Sequence, residues 1–103
     1  IIASGSGESK LPCEIARIAK RKGARLGLIT ANPTSTIQSM SDFAVQLSCP
    51  TKISDNSGVS SIQPMSSLFD QSLHILGDVV AILIQEEKGL KTGDLWQYHA
   101  NLE

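Results

Sequence analysis

Ile1-Ile2-Ala3-Ser4-Gly5-Ser6-Gly7-Glu8-Ser9 runs from an apolar tripeptide into a serine-glycine turn and stops at a residue suited to begin a helix. Ile1 to Ala3 reads as the end of a buried strand. Gly5 and Gly7 allow a tight turn with positive φ, and Ser9 is a good N-cap. Beyond it Leu11, Ile15, Ile18 and Lys22 recur at helical spacing with Ala16 and Ala19 beside them. Pro12 is tolerated in the first turn and Gly23 suits the C′ position. Lys20, Arg21 and Lys22 crowd the end where the helix dipole favours cations. A strand that turns straight into a helix is the unit from which parallel sheets are assembled.

Outward from this junction the alternation continues. Arg25 to Thr30 (RLGLIT) reads as a second strand, covered on both faces. Pro33 pushes Asn32 out of the helical region, so residues 31–34 form a turn, followed by a short helix from about Ser35 to Met40. Phe43 to Leu47 reads as a third strand with apolar residues at 43, 45 and 47. Residues 48–63 are polar, and loops of that length in compact domains are functional or disordered. A long helix is expected from Ser67 to Glu87. Leu68, Ile75, Val79 and Ile82, with Phe69, Leu73, Leu76, Val80 and Leu83, give it a wide apolar face, and Asp70, His74, Asp78 and Gln85 a polar strip. Gly89 ends it, and a last short helix runs from Asp94 to about His99, with Trp96 expected to anchor it by packing. The pattern predicts an α/β fold, a three-layer α/β/α domain around a parallel sheet with right-handed crossovers. Residues 1–103 form one domain on this reading. The opening in mid-strand without a methionine is what is expected of the carboxyl-terminal portion of a longer chain.

Composition narrows the classes. The 103 residues suffice for one small domain, and nine basic against ten acidic side chains leave no basic footprint for nucleic acid or an anionic membrane. Apolar runs such as Val79 to Ile84 fall well short of the ~20 residues that span a bilayer. Cys13 and Cys49 form no CxxC and have no neighbouring histidine. That argues against a zinc site and a disulfide scaffold, and for two reduced, partly buried thiols in a cytoplasmic protein.

In open parallel sheets ligands collect at the carboxyl ends of strands. The loops Ser4–Ser9 and Thr30–Ser35 both follow strands, so both lie on that edge. Backbone N–H groups, serine hydroxyls and a helix start converging in the first loop suit a phosphate dianion. The spacing is neither GxGxxG nor a Walker-type Gly-Lys-Ser, which argues against dinucleotides and nucleoside triphosphates. Taken alone, the loop has a second reading, as a turn that merely caps a helix.

The Ser4-Gly5-Ser6-Gly7-Glu8-Ser9 segment is similar to the signature of the sugar isomerase (SIS) domain. Gln63-Pro64-Met65 with Ser67-Leu68-Phe69-Asp70-Gln71 resembles the Q-P-M-x-S-L-F-E-Q segment of the 6-phospho-3-hexuloisomerase family, and His99-Ala100-Asn101-Leu102-Glu103 resembles that family's H-A-N-L-E terminus. The resemblance implies a flavodoxin-like, doubly wound SIS domain, usually a homotetramer, working in formaldehyde fixation by the ribulose monophosphate route or in pentose supply. It implies an isomerase interconverting D-arabino-hex-3-ulose 6-phosphate and fructose 6-phosphate through an enediol, with no cofactor and no metal. Ser4, Ser6 and Ser9 would hold the substrate phosphate. Asp70, at the family's glutamate position, would be the base, and His99 a second catalytic group acting in a neighbouring subunit's site.

Two residues depart from the pattern: Asp70 stands for glutamate, one methylene shorter, and Ser66 for glycine. Structural readings stand beside the catalytic ones. Ser67-x-x-Asp70 resembles a capping box, His99 a solvated tail residue, and His74 an i,i+4 partner on the polar strip. Lys52 is either a solvated loop lysine or a contact for a substrate phosphate. The alternative function is a non-catalytic SIS module that binds a sugar phosphate and regulates a partner. An isomerase of the same fold acting on arabinose 5-phosphate is the third reading.

Overall fold

The computed structural model describes residues 1–53 and 58–98. Its elements are β1 (Ile2–Ala3), α1 (Lys10–Arg21), β2 (Gly27–Thr30), α2 (Thr36–Met40), β3 (Phe43–Gln46), α3 (Ser67–Lys88), α4 (Thr92–Leu95) and a 3-10 turn at Trp96–Tyr98. The strands form a parallel sheet in the order β1-β2-β3, with Ile2 opposite Leu28 and Leu28 opposite Ala44. The chain divides into two compact units, Ile1–Leu73 and His74–Glu103.

In the first unit, the alternation of side chains along β2 builds two cores. Leu26 and Leu28 join Cys13 and Ala16 of α1 and Ile37 of α2. Ile29 and Ala31 join Cys49, with Leu68, Phe69 and Leu73 from the start of α3. Helices therefore cover both faces of the sheet, which is the three-layer α/β/α arrangement expected.

The buried stripe of α1 differs from the expected one. Cys13 and Ala16 are buried, whereas Leu11 remains 71%, Ile15 49% and Ile18 45% exposed. Small side chains let the helix axis approach the sheet closely, and the larger ones flank the contact. The helix ends as expected: Gly23 takes φ +79°, its N–H donates to the Lys20 carbonyl, and the Ala24 N–H donates to the Ala19 carbonyl, a Schellman closure. Both cysteines are buried and unpaired.

β3 was expected to alternate, yet all four of its residues are exposed. It is an edge strand, and the Phe43 ring folds over Gly27 so closely that a β-carbon there would run into it. Asp42, just before β3, fastens the edge. Its carboxylate accepts the Leu26 N–H at 2.6 Å and the Lys20 ammonium at 2.9 and 3.0 Å.

In the second unit the apolar rows of α3 are exposed, Ile75 by 65%, Ile82 by 53% and Leu83 by 56%. Trp96 is 65% exposed as well, rather than buried as an anchor. With a mean hydropathy of 1.4, α3 is by length and composition long and apolar enough to cross a membrane. Asp70, His74 and Asp78 interrupt its contiguous apolar runs without lowering this average much.

Candidate active site

The serine-glycine turn is laced from one side by the loop that follows β2. The Gly5 carbonyl accepts the Ala31 N–H at 3.0 Å and the Thr30 hydroxyl at 3.2 Å, and the Ser6 carbonyl accepts Asn32 Nδ2 at 3.0 Å. The Gly7 carbonyl accepts the Ile37 N–H at 3.2 Å, with the Cys13 thiol 3.7 Å away as a weak donor. Gly7 has φ +66° and leaves no room for a β-carbon against Ser35. A planar peptide points its N–H opposite to its carbonyl, so pinning the Gly5 carbonyl turns the Ser6 N–H away from the second loop.

Both loops were expected to serve a ligand. The second also acts as a scaffold: Thr30 and Asn32, with Thr36 at the start of α2, bond to the first. Glu8, which sequence reasoning left without a role, completes this lacing. Its carboxylate accepts the Thr36 N–H and the Thr36 hydroxyl, each at 2.7 Å. Those two hydrogen bonds hold its pKa below the ordinary glutamate value. Only the acid of the S-G-S-G-E-S motif signalled it, and its partner lies 28 residues on.

The three serines play different parts. Ser4 and Ser6 are buried, and their hydroxyl oxygens accept the N–H groups of Gly7 at 3.1 Å and Glu8 at 3.3 Å. Each oxygen thereby spends acceptor capacity on the turn and keeps its own proton to donate. Ser9 occupies the N-cap position of α1 with extended backbone, but its side chain makes no capping hydrogen bond. The expected cap is a position without the bond.

A cleft of about 260 Å³ opens beside the turn, entirely within the first unit. Ser4, Ser6 and Ser9 line one part of it, and Asp70, Lys52 and Met65 another. Four of the five expected site residues therefore share one cavity. His99 lies outside the described residues. The Phe69 ring packs beneath Gly5, 3.4 Å from where its β-carbon would stand, and so ties α3 to the turn.

The capping-box reading of Asp70 does not hold. The Asp70 N–H donates to the Ser66 carbonyl at 3.0 Å, and α3 begins at Ser67. Ser66 is thus the N-cap, and Asp70 falls one residue past the N3 position that a box requires. Before this start, Met65 takes φ +57°, a conformation uncommon for a side chain of its size. Asp70 is exposed on the first turn of the helix and faces the cleft it lines.

A family profile described as the SIS domain matches residues 1–75. A 3-hexulose-6-phosphate isomerase from Bacillus subtilis (strain 168) is 38% identical over 103 residues, which is 100% of this chain and 56% of that protein. A protein of the same name from Mycobacterium gastri is 33% identical over the whole of this chain and 51% of its own length. The chain thus spans about half the length of the curated relatives it matches. A solved structure titled "Crystal structure of an hypothetical protein" superposes with a TM-score of 0.83 at 28% identity, covering 97% of this chain and 53% of the other.

Proposed function

From the premise that this chain belongs to the SIS domain family, we propose that it works in a sugar-phosphate isomerase, interconverting D-arabino-hex-3-ulose 6-phosphate and fructose 6-phosphate. The observation that carries this reading is the single cleft lined by Ser4, Ser6 and Ser9 together with Asp70. The hydroxyl protons of the serines and the start of α1 hold the phosphate. That anchors the sugar chain so that a fixed carbon reaches the carboxylate. Asp70 takes the proton from C2 of the 3-ketose, and the electron pair forms a 2,3-enediol as the C3 carbonyl becomes an enol. A proton is then returned to C3 while the O2 hydroxyl loses its own, leaving the C2 ketone. Moving the hydroxyl protons calls for a second acid-base group, and His99 of a neighbouring subunit in a homotetramer is proposed for it. The chemistry is proton transfer alone, and no cofactor or metal enters this proposal.

The test is a coupled assay for fructose 6-phosphate formed from the 3-hexulose phosphate by the intact protein. Wild type turns over, and Asp70→Asn loses about 10²- to 10⁴-fold in kcat. Full activity in Asp70→Asn removes that residue from the mechanism. Sugar-phosphate binding without turnover by the wild type favours the regulatory module instead. One observation leans that way: the Asp70 carboxylate is a methylene shorter than the glutamate the resemblance leads one to expect, and displacement of about 1 Å can cost about 10²-fold in rate.

A further inference from the structure

Apart from Asp70, the charged side chains lining the cleft come down to one. Lys52 lies in the turn after Pro50 and Thr51, behind Cys49, which is only 3% exposed and sits in the core with Ala31 and Phe69. The segment that presents Lys52 is therefore anchored at its base. No ion pair engages its ammonium among the described residues, whereas Lys20, Arg17 and Arg21 are each paired with a carboxylate on the surface. The serines offer only neutral donors. A phosphate dianion entering beside the Asp70 carboxylate meets like charge, and hydroxyls and amides alone leave that charge uncompensated.

We propose that Lys52 is the counter-charge of this site, its ammonium closing on the substrate phosphate from the side opposite the serine turn. The assignment rests on the sugar-phosphate reading above and gives that reading its selectivity: a phosphorylated sugar is held by charge, and its unphosphorylated counterpart is not. Lysine suits the task as a compact charge on a flexible stem that reaches a phosphate without a fixed fork geometry. Lys52 thus touches substrate without taking part in proton transfer, so it governs binding and not the rate at saturation.

The experiment compares the intact wild-type protein with Lys52→Met and Lys52→Arg, titrated calorimetrically with inorganic phosphate and with fructose 6-phosphate. Thermal melting checks that each variant is folded. Lys52→Met is expected to bind both phosphates roughly ten- to a hundredfold more weakly. Lys52→Arg should recover most of that loss, and the salt dependence seen with wild type should flatten in Lys52→Met. In turnover, KM rises and kcat is kept. Equal phosphate binding by wild type and folded Lys52→Met overturns the Lys52 assignment while the proposed function stands. Failure of the wild type to bind either phosphate overturns the proposed function and the assignment with it.

Discussion

Gly7 shows how much a single residue decides here. Its φ of +66° disfavours any side chain, and a β-carbon would also run into Ser35. Gly23 has φ +79° but nothing near it. Gly23→Ala should therefore lose only the backbone preference, about 1 kcal/mol, while Gly7→Ala loses more than about 2 kcal/mol and weakens phosphate binding as well. Urea unfolding of the two variants measures the difference, and equal losses would show that the Ser35 contact does not matter. Asp70 poses the opposite question, of reach. Asp70→Glu restores the missing methylene, so kcat in the coupled assay should equal or exceed wild type, whereas Asp70→Asn lowers it about 10²- to 10⁴-fold. The identity of both residues was legible in the sequence. The wall that makes Gly7 obligatory was not, because Ser35 meets it only after the second loop has folded back.

At the scale of elements, the Asp42 lock couples α1, β2 and β3. The Leu26 N–H and then the Lys20 ammonium keep the Asp42 carboxyl below its ordinary 3.8. A depressed carboxyl pKa contributes stability that is present above the unfolded value and is lost as pH falls through the folded one. Thermal stability should hold steady above about pH 5 and decline below it. Asp42→Asn should be less stable than wild type at neutral pH, with the gap closing toward pH 3. A gap independent of pH would mean that the carboxylate's charge plays no part. Glu8 and Glu14 are depressed likewise, by Thr36 and by Arg21 with Arg17 respectively, so some acid sensitivity remains in the variant. None of this was visible in the sequence: Asp42 finds its partners 16 and 22 positions away. The buried face of α1 was misjudged for a related reason. Periodicity marks apolar rows, but which row touches the sheet depends on how closely the helix can approach.

At the scale of the whole molecule, the apolar rows of α3 need cover. Asp78 stands near the middle of the helix, and an acid at a bilayer centre costs about 2.5–3.5 kcal/mol on insertion scales. Protein is the better cover, and in the proposed homotetramer a neighbouring subunit would supply it. Burying a side chain such as Ile82 or Leu83 contributes about 1.5–3 kcal/mol. The double variant Ile82→Glu, Leu83→Glu should therefore shift the intact protein toward smaller species in sedimentation velocity. An unchanged sedimentation coefficient would place this face outside the assembly.

The amino-acid sequence by itself determined the local events. The strand-turn-helix opening, the Gly23 closure, the alternation that yields a parallel α/β sheet and the phosphate-suited serine turn each depend on residues within a few positions of one another. Only the tertiary structure decided which polar groups are committed and which are open. The second loop, read as ligand-binding surface, also braces the first, Ser9 has the cap position without the cap bond, and Ser66 rather than Ser67 is the N-cap of α3. Lys52 and Asp70 face one cavity with the serine turn. Those outcomes turn on contacts between segments tens of residues apart, whose distances no spacing in the chain encodes.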